Sequence, residues 1–223
     1  MTDFPGETEI SSPARSTCGY VLEGFRAKYY DVGNALFGVP LVTRVHVRLI
    51  SLQKGQSLLD IGCGTGEVLY RLRRKFGESV VLCGVDPSRD MLDVARRKLR
   101  AATNAQVEAG LGEELRFAEA SFDWVVSSLT FHHLPLGAKR ATIREAHRVL
   151  KPGGWLLVSD FGKPKHFAGW IFISLWAGHA FTNENVRNVV EEMILDEGFS
   201  DLSVSVQFGV IHHMLARKHI PAG

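Results

Sequence analysis

Between Ser57 and Phe76 a short apolar run passes through a glycine-rich turn into an amphipathic helix, and this unit constrains the fold more than any other segment. Ser57 to Ile61 reads as a strand. Gly62, Gly64 and Gly66 follow at alternate positions around Cys63 and Thr65. Glu67 to Phe76 then places Val68, Leu69, Leu72 and Phe76 at helical intervals, with Arg71, Arg73, Arg74 and Lys75 between them. Glycines adopt positive φ and carry no Cβ, so a flat polar molecule can lie almost on the main chain at such a turn. Ligands of open α/β sheets bind outside the carboxyl ends of the strands, where strand order reverses. The turn is therefore the expected binding site.

The alternation continues along the chain. Val80 to Val85 is apolar on both faces, as in a strand covered by helices on either side, and it ends at Asp86-Pro87. Ser88 caps the next helix, whose buried face is Met91, Leu92, Ala95 and Leu99. Asn104 to Glu108 is a weak third strand and Phe122 to Ser127 a clearer fourth. Ala138 to Val149 is helical and is closed by Lys151-Pro152-Gly153-Gly154, after which Trp155 to Ser159 is a fifth strand. A helix from about Thr182 to Glu197 and two alternating runs, Leu202 to Val206 and Val210 to Ala216, read as a helix followed by an antiparallel hairpin. The 223 residues suit one domain with a substantial core. Residues 1–50 stand outside the alternation as an N-terminal helical extension or cap, and residues 51–223 form the α/β domain.

Charge and cysteine content exclude several classes of function. Lys plus Arg number 26 against 24 Asp plus Glu, and a net charge of +2 predicts no nucleic-acid partner. Cys18, Cys63 and Cys83 are odd in number and widely spaced, which fits neither a disulfide framework nor a paired zinc cluster. With no basic head followed by an apolar stretch at the N-terminus, a cytoplasmic location is expected. The longest apolar run, Phe167 to Phe181, covers 15 residues and includes Ser174 and His179, short of the ~20 that cross a bilayer. Lys163, Lys165 and His166 precede it. A core helix explains this run as well as an apolar lid with a basic rim does; the lid reading brings with it a greasy substrate or peripheral contact with a membrane surface.

The spacing of the glycines, with one residue between the second and third, differs from the dinucleotide fingerprint, which has two there and offers helix amides to a pyrophosphate. Asp60, two residues before the turn, would repel a pyrophosphate and suits an ammonium or another cation. Asp86 closes the second strand, where a carboxylate can accept hydrogen bonds from both hydroxyls of a ribose. A carboxylate for a cation and a carboxylate for a sugar describe a nucleoside with a charged amino-acid tail.

Four segments now carry a family resemblance. Asp-Ile-Gly-Cys-Gly-Thr-Gly at 60–66, Gly-Val-Asp-Pro-Ser at 84–88 with Met91 following, Ser-Phe-Asp-Trp-Val-Val-Ser at 121–127 and Leu-Lys-Pro-Gly-Gly-Trp-Leu at 150–156 resemble, in order and spacing, the successive motifs of class I S-adenosylmethionine-dependent methyltransferases. The likeness covers about residues 20 to 217 and is nearest to the branch of ubiquinone and menaquinone C-methyltransferases. It implies a Rossmann-like, mostly parallel seven-stranded sheet in the order 3-2-1-4-5-7-6, strand 7 antiparallel, with helices on both faces. It also implies S-adenosylmethionine as cofactor and a small, apolar methyl acceptor such as a quinol precursor, lipid or secondary metabolite.

Carried over by position, the resemblance implies that Gly62, Cys63, Gly64 and Gly66 receive the methionine part of the cofactor, with Asp60 facing its amino group and Asp86 holding the ribose. Pro87 and Met91 would flank the adenine, Ser127 would lie under the sulfonium and Tyr30 would cover the cofactor. Where relatives often carry Gly-Asp-Ala, this chain reads Gly110-Leu111-Gly112, and Leu111 cannot accept a bond from the adenine amine; Gly112 and Glu113 are the nearby groups left for that edge.

For a phenol or an activated ring carbon a base would help, and His132 or His133, just past the fourth strand, is the best placed, with His132 taken as the catalytic candidate. No metal site is expected, since adjacent histidines on a strand point to opposite faces. Nicotinamide-dependent oxidoreduction and a non-catalytic nucleoside-binding relative are the competing functional readings.

Overall fold

The computed structural model describes residues 39–167, 169, 170, 185 and 187–220. Most of the expected extension over residues 1–50, Tyr30 included, lies outside them, as does most of the apolar run 167–181. Helix α1 (Val39–Leu49) leads into strand β1 (Ser57–Ile61), helix α2 (Glu67–Phe76), β2 (Val81–Asp86), α3 (Arg89–Leu99) and β3 (Ala105–Ala109). Next come β4 (Phe122–Ser128), a single 3-10 turn (Phe131–His133), α4 (Leu136–Val149), β5 (Leu150–Phe161), α5 (Val189–Asp196), β6 (Phe199–Gln207) and β7 (Ile211–Lys218). The sheet has seven strands in the order β3-β2-β1-β4-β5-β7-β6. Strands β1 to β5 pair in parallel, and β7 runs antiparallel to both β5 and β6. That is the Rossmann-like architecture expected.

Two apolar layers make this sheet stable, one on each face. Leu59, Ile61, Val85, Val125 and Val158 pack against Ile143, Ala146 and Val149 of α4 and against Val190, Met193 and Ile194 of α5. Their neighbours in the strands, Leu58, Leu82, Trp124, Val126 and Leu157, face the other way and meet Val47 and Ile50, Val68, Leu69 and Leu72 of α2, and Leu92 and Leu99 of α3. Burial on both faces explains why these strands read as continuous apolar runs rather than alternating ones. At roughly 25 cal/mol per Å² of apolar surface removed from water, these layers are the main stabilising contribution.

The structure moves some boundaries. Lys151-Pro152-Gly153-Gly154 does not separate helix from strand: β5 begins at Leu150, which pairs with Phe122, and a bulge lies between Phe122 and Trp124 before Trp155 pairs with Trp124. Strand β5 also runs on past Ser159 to Phe161, which brings Asp160 into the sheet. Helix α5 starts at Val189, after Asn188 in the left-handed region at φ 61°, and residues 182–184 and 186 of the helix expected from Thr182 lie outside the described residues.

Candidate functional site

The glycines of the turn are needed for three different reasons. All have positive φ: 72° at Gly62, 52° at Gly64 and 73° at Gly66. A Cβ on Gly62 would run into the side chain of Thr130, and one on Gly66 would sit 3.0 Å from Ala95 Cβ on α3. Protein packing therefore fills two of the three positions the sequence reading left to a ligand. Of the three, only Gly64 has a Cβ position with nothing within 4 Å, so this is where the turn faces open space. The amides of Gly62 and Cys63 donate to the Val85 carbonyl at 2.8 and 3.0 Å, tying the turn to β2. Cys63 is itself buried against Gly84, whose Cβ would lie 2.8 Å from Cys63 Sγ.

Asp60 is the most telling side chain here. It is 1% exposed, and neither carboxylate oxygen has a hydrogen-bond partner. Burial, and then the charge of Asp86, pushes its carboxyl well above the usual carboxylate range. An unpartnered buried carboxylate is costly in a folded chain, and a cationic ligand removes that cost.

Asp86 is built differently. One oxygen accepts from the Gly64 amide at 2.9 Å and the other from the Ser88 amide at 2.9 Å. Burial raises its carboxyl while these two amides draw it back. Asp86 therefore sets the shape of the glycine turn, and each of its oxygens keeps a further lone pair.

The remaining expected contacts surround this pair. Ser88 caps α3 by accepting from the Met91 amide at 3.3 Å, which fixes Pro87 and Met91 at the end of β2; Met91 is buried and Pro87 half-buried. Gly110 donates to the Asp86 carbonyl at 3.3 Å, placing the Leu111, Gly112, Glu113 turn beside it; Glu114 closes that turn onto the Leu111 carbonyl. All three turn residues are half-buried. The hydroxyl of Ser127 donates to the Ile61 carbonyl at 2.8 Å, so it braces β4 against β1.

Just past β4, Leu129 adopts a left-handed φ of 55° and its amide donates to the Ser159 carbonyl at 2.8 Å. That bend delivers Thr130 to Gly62 and the next turn to β5. His132 is buried, its Nδ1 lies 2.9 Å from Asp160 Oδ1, and its backbone amide donates to Asp160 Oδ2 at 3.3 Å. Complete burial alone would raise the Asp160 carboxyl, but the charge and hydrogen bond of His132, helped by the Phe161 amide and His133, hold it below the usual range. An ionised Asp160 accepts the Nδ1 proton and leaves Nε2 of His132 as the basic nitrogen. The ring of His133 lies 3.9 Å from that of His132, centroid to centroid.

On the opposite face, a second polar chain passes through Ser159. His46 Nδ1 lies 2.6 Å and His213 Nδ1 2.7 Å from its hydroxyl, and His213 Nε2 is 3.1 Å from Gln207 Oε1. Burial, then His213, lowers His46 to about 3; burial, then His212, lowers His213 to about 4. Sequence reasoning missed Asp160, Ser159 and His46. A fifth strand extended by one alternation beyond Ser159 would have placed Asp160 at the carboxyl edge. Among the described residues no group of three or more His, Cys, Asp or Glu could hold a metal ion, and no helix is long and apolar enough to cross a membrane.

Comparison with known proteins bears on this geometry. A methyltransferase-domain family model matches residues 58–154. The ubiquinone/menaquinone biosynthesis C-methyltransferase UbiE of Klebsiella pneumoniae (strain 342) is 32% identical over 169 residues, covering 73% of this chain and 66% of that protein. The demethylmenaquinone methyltransferase of Listeria welshimeri is 34% identical over 178 residues, covering 69% of this chain and 74% of that protein. This chain thus spans 66% and 74% of the length of those two curated relatives. Among solved structures, phosphoethanolamine N-methyltransferase 2 of Haemonchus contortus, in complex with S-adenosyl-L-methionine, superimposes with a TM-score of 0.63 at 19% identity, over 81% of this chain and 52% of that one. With the sheet order, the glycine turn and the identity to the Listeria protein in agreement, the chain belongs to the class I S-adenosylmethionine-dependent methyltransferases.

Proposed function

We propose that this chain methylates a small, apolar acceptor, with a quinol-type ring as the first class to test. The observation that carries the cofactor side of this reading is Asp60, a buried carboxylate with no partner on either oxygen, beside a glycine turn that is open at Gly64. The residues fit the cofactor. Asp60 would take its ammonium, the open face at Gly64 its methionine part, with Gly62, Cys63 and Gly66 shaping the turn beneath it, and the free lone pairs of Asp86 its ribose. Pro87 and Met91 would flank the adenine, and Gly112 and Glu113 would serve its amine in place of Leu111. Ser127 would act by holding β4 to β1 beneath the sulfonium region, and Tyr30, outside the described residues, remains the proposed cover. Bound S-adenosylmethionine supplies an electrophilic methyl group on a positively charged sulfur.

The chain's own task is to place the acceptor, exclude water and manage a proton. For a ring hydroxyl or an activated ring carbon, Nε2 of His132 takes the proton while Asp160 holds the Nδ1 proton and stabilises the imidazolium that forms. The quinol class is supported by the names of the relatives from Klebsiella and Listeria, a ubiquinone/menaquinone biosynthesis C-methyltransferase and a demethylmenaquinone methyltransferase. Incubating the protein and methyl-labelled S-adenosylmethionine with a lipid extract, followed by mass spectrometry, tests this. Label in an apolar small molecule supports the reading; label only in protein or nucleic acid, or none at all, refutes it. Calorimetry with NAD alongside S-adenosylhomocysteine addresses oxidoreduction, since tighter binding of NAD would favour that class.

A further inference from the structure

We infer that the edge formed by the β6–β7 turn and the segment after β5 is a docking surface for an anionic lipid bilayer. Phe167 and Phe208 are the two most exposed large apolar side chains among the described residues, at 79% and 59%, and Trp170 is 46% exposed. They belong to segments far apart in sequence that the fold ties together. The Gly162 amide donates to the Val210 carbonyl and the Lys165 amide to the Gly209 carbonyl, each at 2.9 Å. A Cβ on Gly169 would lie 2.8 Å from Val210 Cγ1, and one on Gly209 would lie 3.3 Å from the His166 ring. The tip of the hairpin and the segment carrying Phe167 therefore share one end of the molecule.

Charge identifies the occupant. Lys163, Lys165 and His166 are exposed among these aromatics, and neither residues 161–170 nor residues 202–217 contain an Asp or Glu. Glu191, the acid that reaches this end from α5, is held by His212 Nδ1 at 2.7 Å. Exposed aromatics among lysines with no acid in either segment match a surface with phosphate headgroups above an apolar layer: the rings enter the interface and the ammonium groups stay with the phosphates. A soluble partner protein with an acidic rim is the competing occupant. The bilayer is preferred because the exposed rings share this end with exposed Lys163, Lys165 and His166, a mixture that suits a lipid interface, whereas the core of a protein interface is depleted of charged residues and of lysine in particular. The surface begins at Gly162, two residues past Asp160, so it adjoins the strand end that carries the His132–Asp160 pair. This inference goes beyond the proposed reaction and does not depend on which acceptor is used.

Flotation of the full chain with lipid vesicles tests it. Vesicles of phosphatidylcholine with about one third phosphatidylglycerol should carry the protein upward, phosphatidylcholine alone should carry little, and high salt should release it. The double variant Phe167→Ser with Phe208→Ser, and separately Lys163→Glu with Lys165→Glu, should each lower the bound fraction at least about tenfold. Titration with S-adenosylhomocysteine should be unchanged in both variants, which reports on folding and on the cofactor reading separately. Failure of the wild type to float with anionic vesicles overturns the inference, as does equal flotation of the aromatic variant. A dimer in sedimentation velocity that the aromatic variant dissociates assigns the surface to self-association and also overturns it.

Discussion

Replacing Asp60 by Asn should stabilise the ligand-free protein and weaken its cofactor binding. The side chain is 1% exposed with both oxygens unpartnered, so the wild type bears the cost of a buried carboxylate, whereas the variant bears only that of a neutral amide. An unsatisfied buried polar group costs about 1–3 kcal/mol, more if charged. A gain of about 1–3 kcal/mol, at ~2–4 °C per kcal/mol for a chain of this size, raises Tm by roughly 2–12 °C. The gain also has a pH signature. Unfolded Asp titrates near ~3.9, and burial raises the folded value. As pH rises above about 4 the unfolded chain releases a proton that the folded one retains, so the variant's advantage should be absent in acid and grow toward neutrality. With ligand the order reverses. Losing a charge-assisted bond to the ammonium costs ~1.5–3 kcal/mol, or about 10–150-fold in Kd for S-adenosylhomocysteine. Differential scanning calorimetry without ligand and titration calorimetry with it read both effects. A variant that melts below wild type at pH 7, or binds the product equally well, would refute the reasoning.

Asp86→Ala should weaken S-adenosylhomocysteine binding by a similar roughly 10–150-fold and also lower Tm, because the Gly64 and Ser88 amides lose their acceptor; an unchanged Kd counts against the ribose assignment. His132→Gln should cut turnover by about 10²–10⁴ without moving cofactor affinity, and Asp160→Asn should lower kcat by a smaller factor at equal KM. A turnover rate in His132→Gln equal to wild type across the pH range would place that ring among the structural residues. His46 is lowered to about 3 in the fold and returns to 6.5 on unfolding. Its neutral form therefore contributes fully above pH 6.5, and the contribution erodes as pH falls toward 3. The stability difference between wild type and His46→Phe in urea melts should shrink by about 2 kcal/mol between pH 7 and pH 5, at ~1.4 kcal/mol per unit below the unfolded value. A difference that stays constant would contradict the buried neutral ring.

How far the sequence discloses this molecule depends on the range of each interaction. The individual strands, the turn at Gly62 to Gly66, the Ser88 cap and the closing hairpin arise from patterns within about twenty residues and stand within a few residues of where the alternation puts them, β5 excepted, whereas the order of the strands in the sheet was implied by the family resemblance. Asp60 and Asp86 were legible because each lies at the carboxyl end of an apolar strand, where ligands of such sheets bind and a carboxylate stands out from its apolar neighbours. Asp160 was not. Its partner His132 is 28 residues away, and Trp155 to Ser159 looked like a complete strand because the antiparallel pairing that carries β5 on to Phe161 involves β7, near the end of the chain. The His46, Ser159, His213 chain joins positions 113 and 54 residues apart, and no local pattern marks such a bond. The glycines show the same limit. Their positive φ follows from the turn, but Thr130 behind Gly62 and Ala95 behind Gly66 come from other elements.

A crystal structure of the complex with S-adenosylhomocysteine, the product that keeps the ammonium and the ribose, measures the central assignment most directly. The ligand's amino nitrogen should lie within a direct or single-water hydrogen bond of Asp60, its chain over Gly64, and its ribose hydroxyls on Asp86. A ligand bound elsewhere, or one whose amino group leaves both oxygens of Asp60 unpartnered, would contradict it.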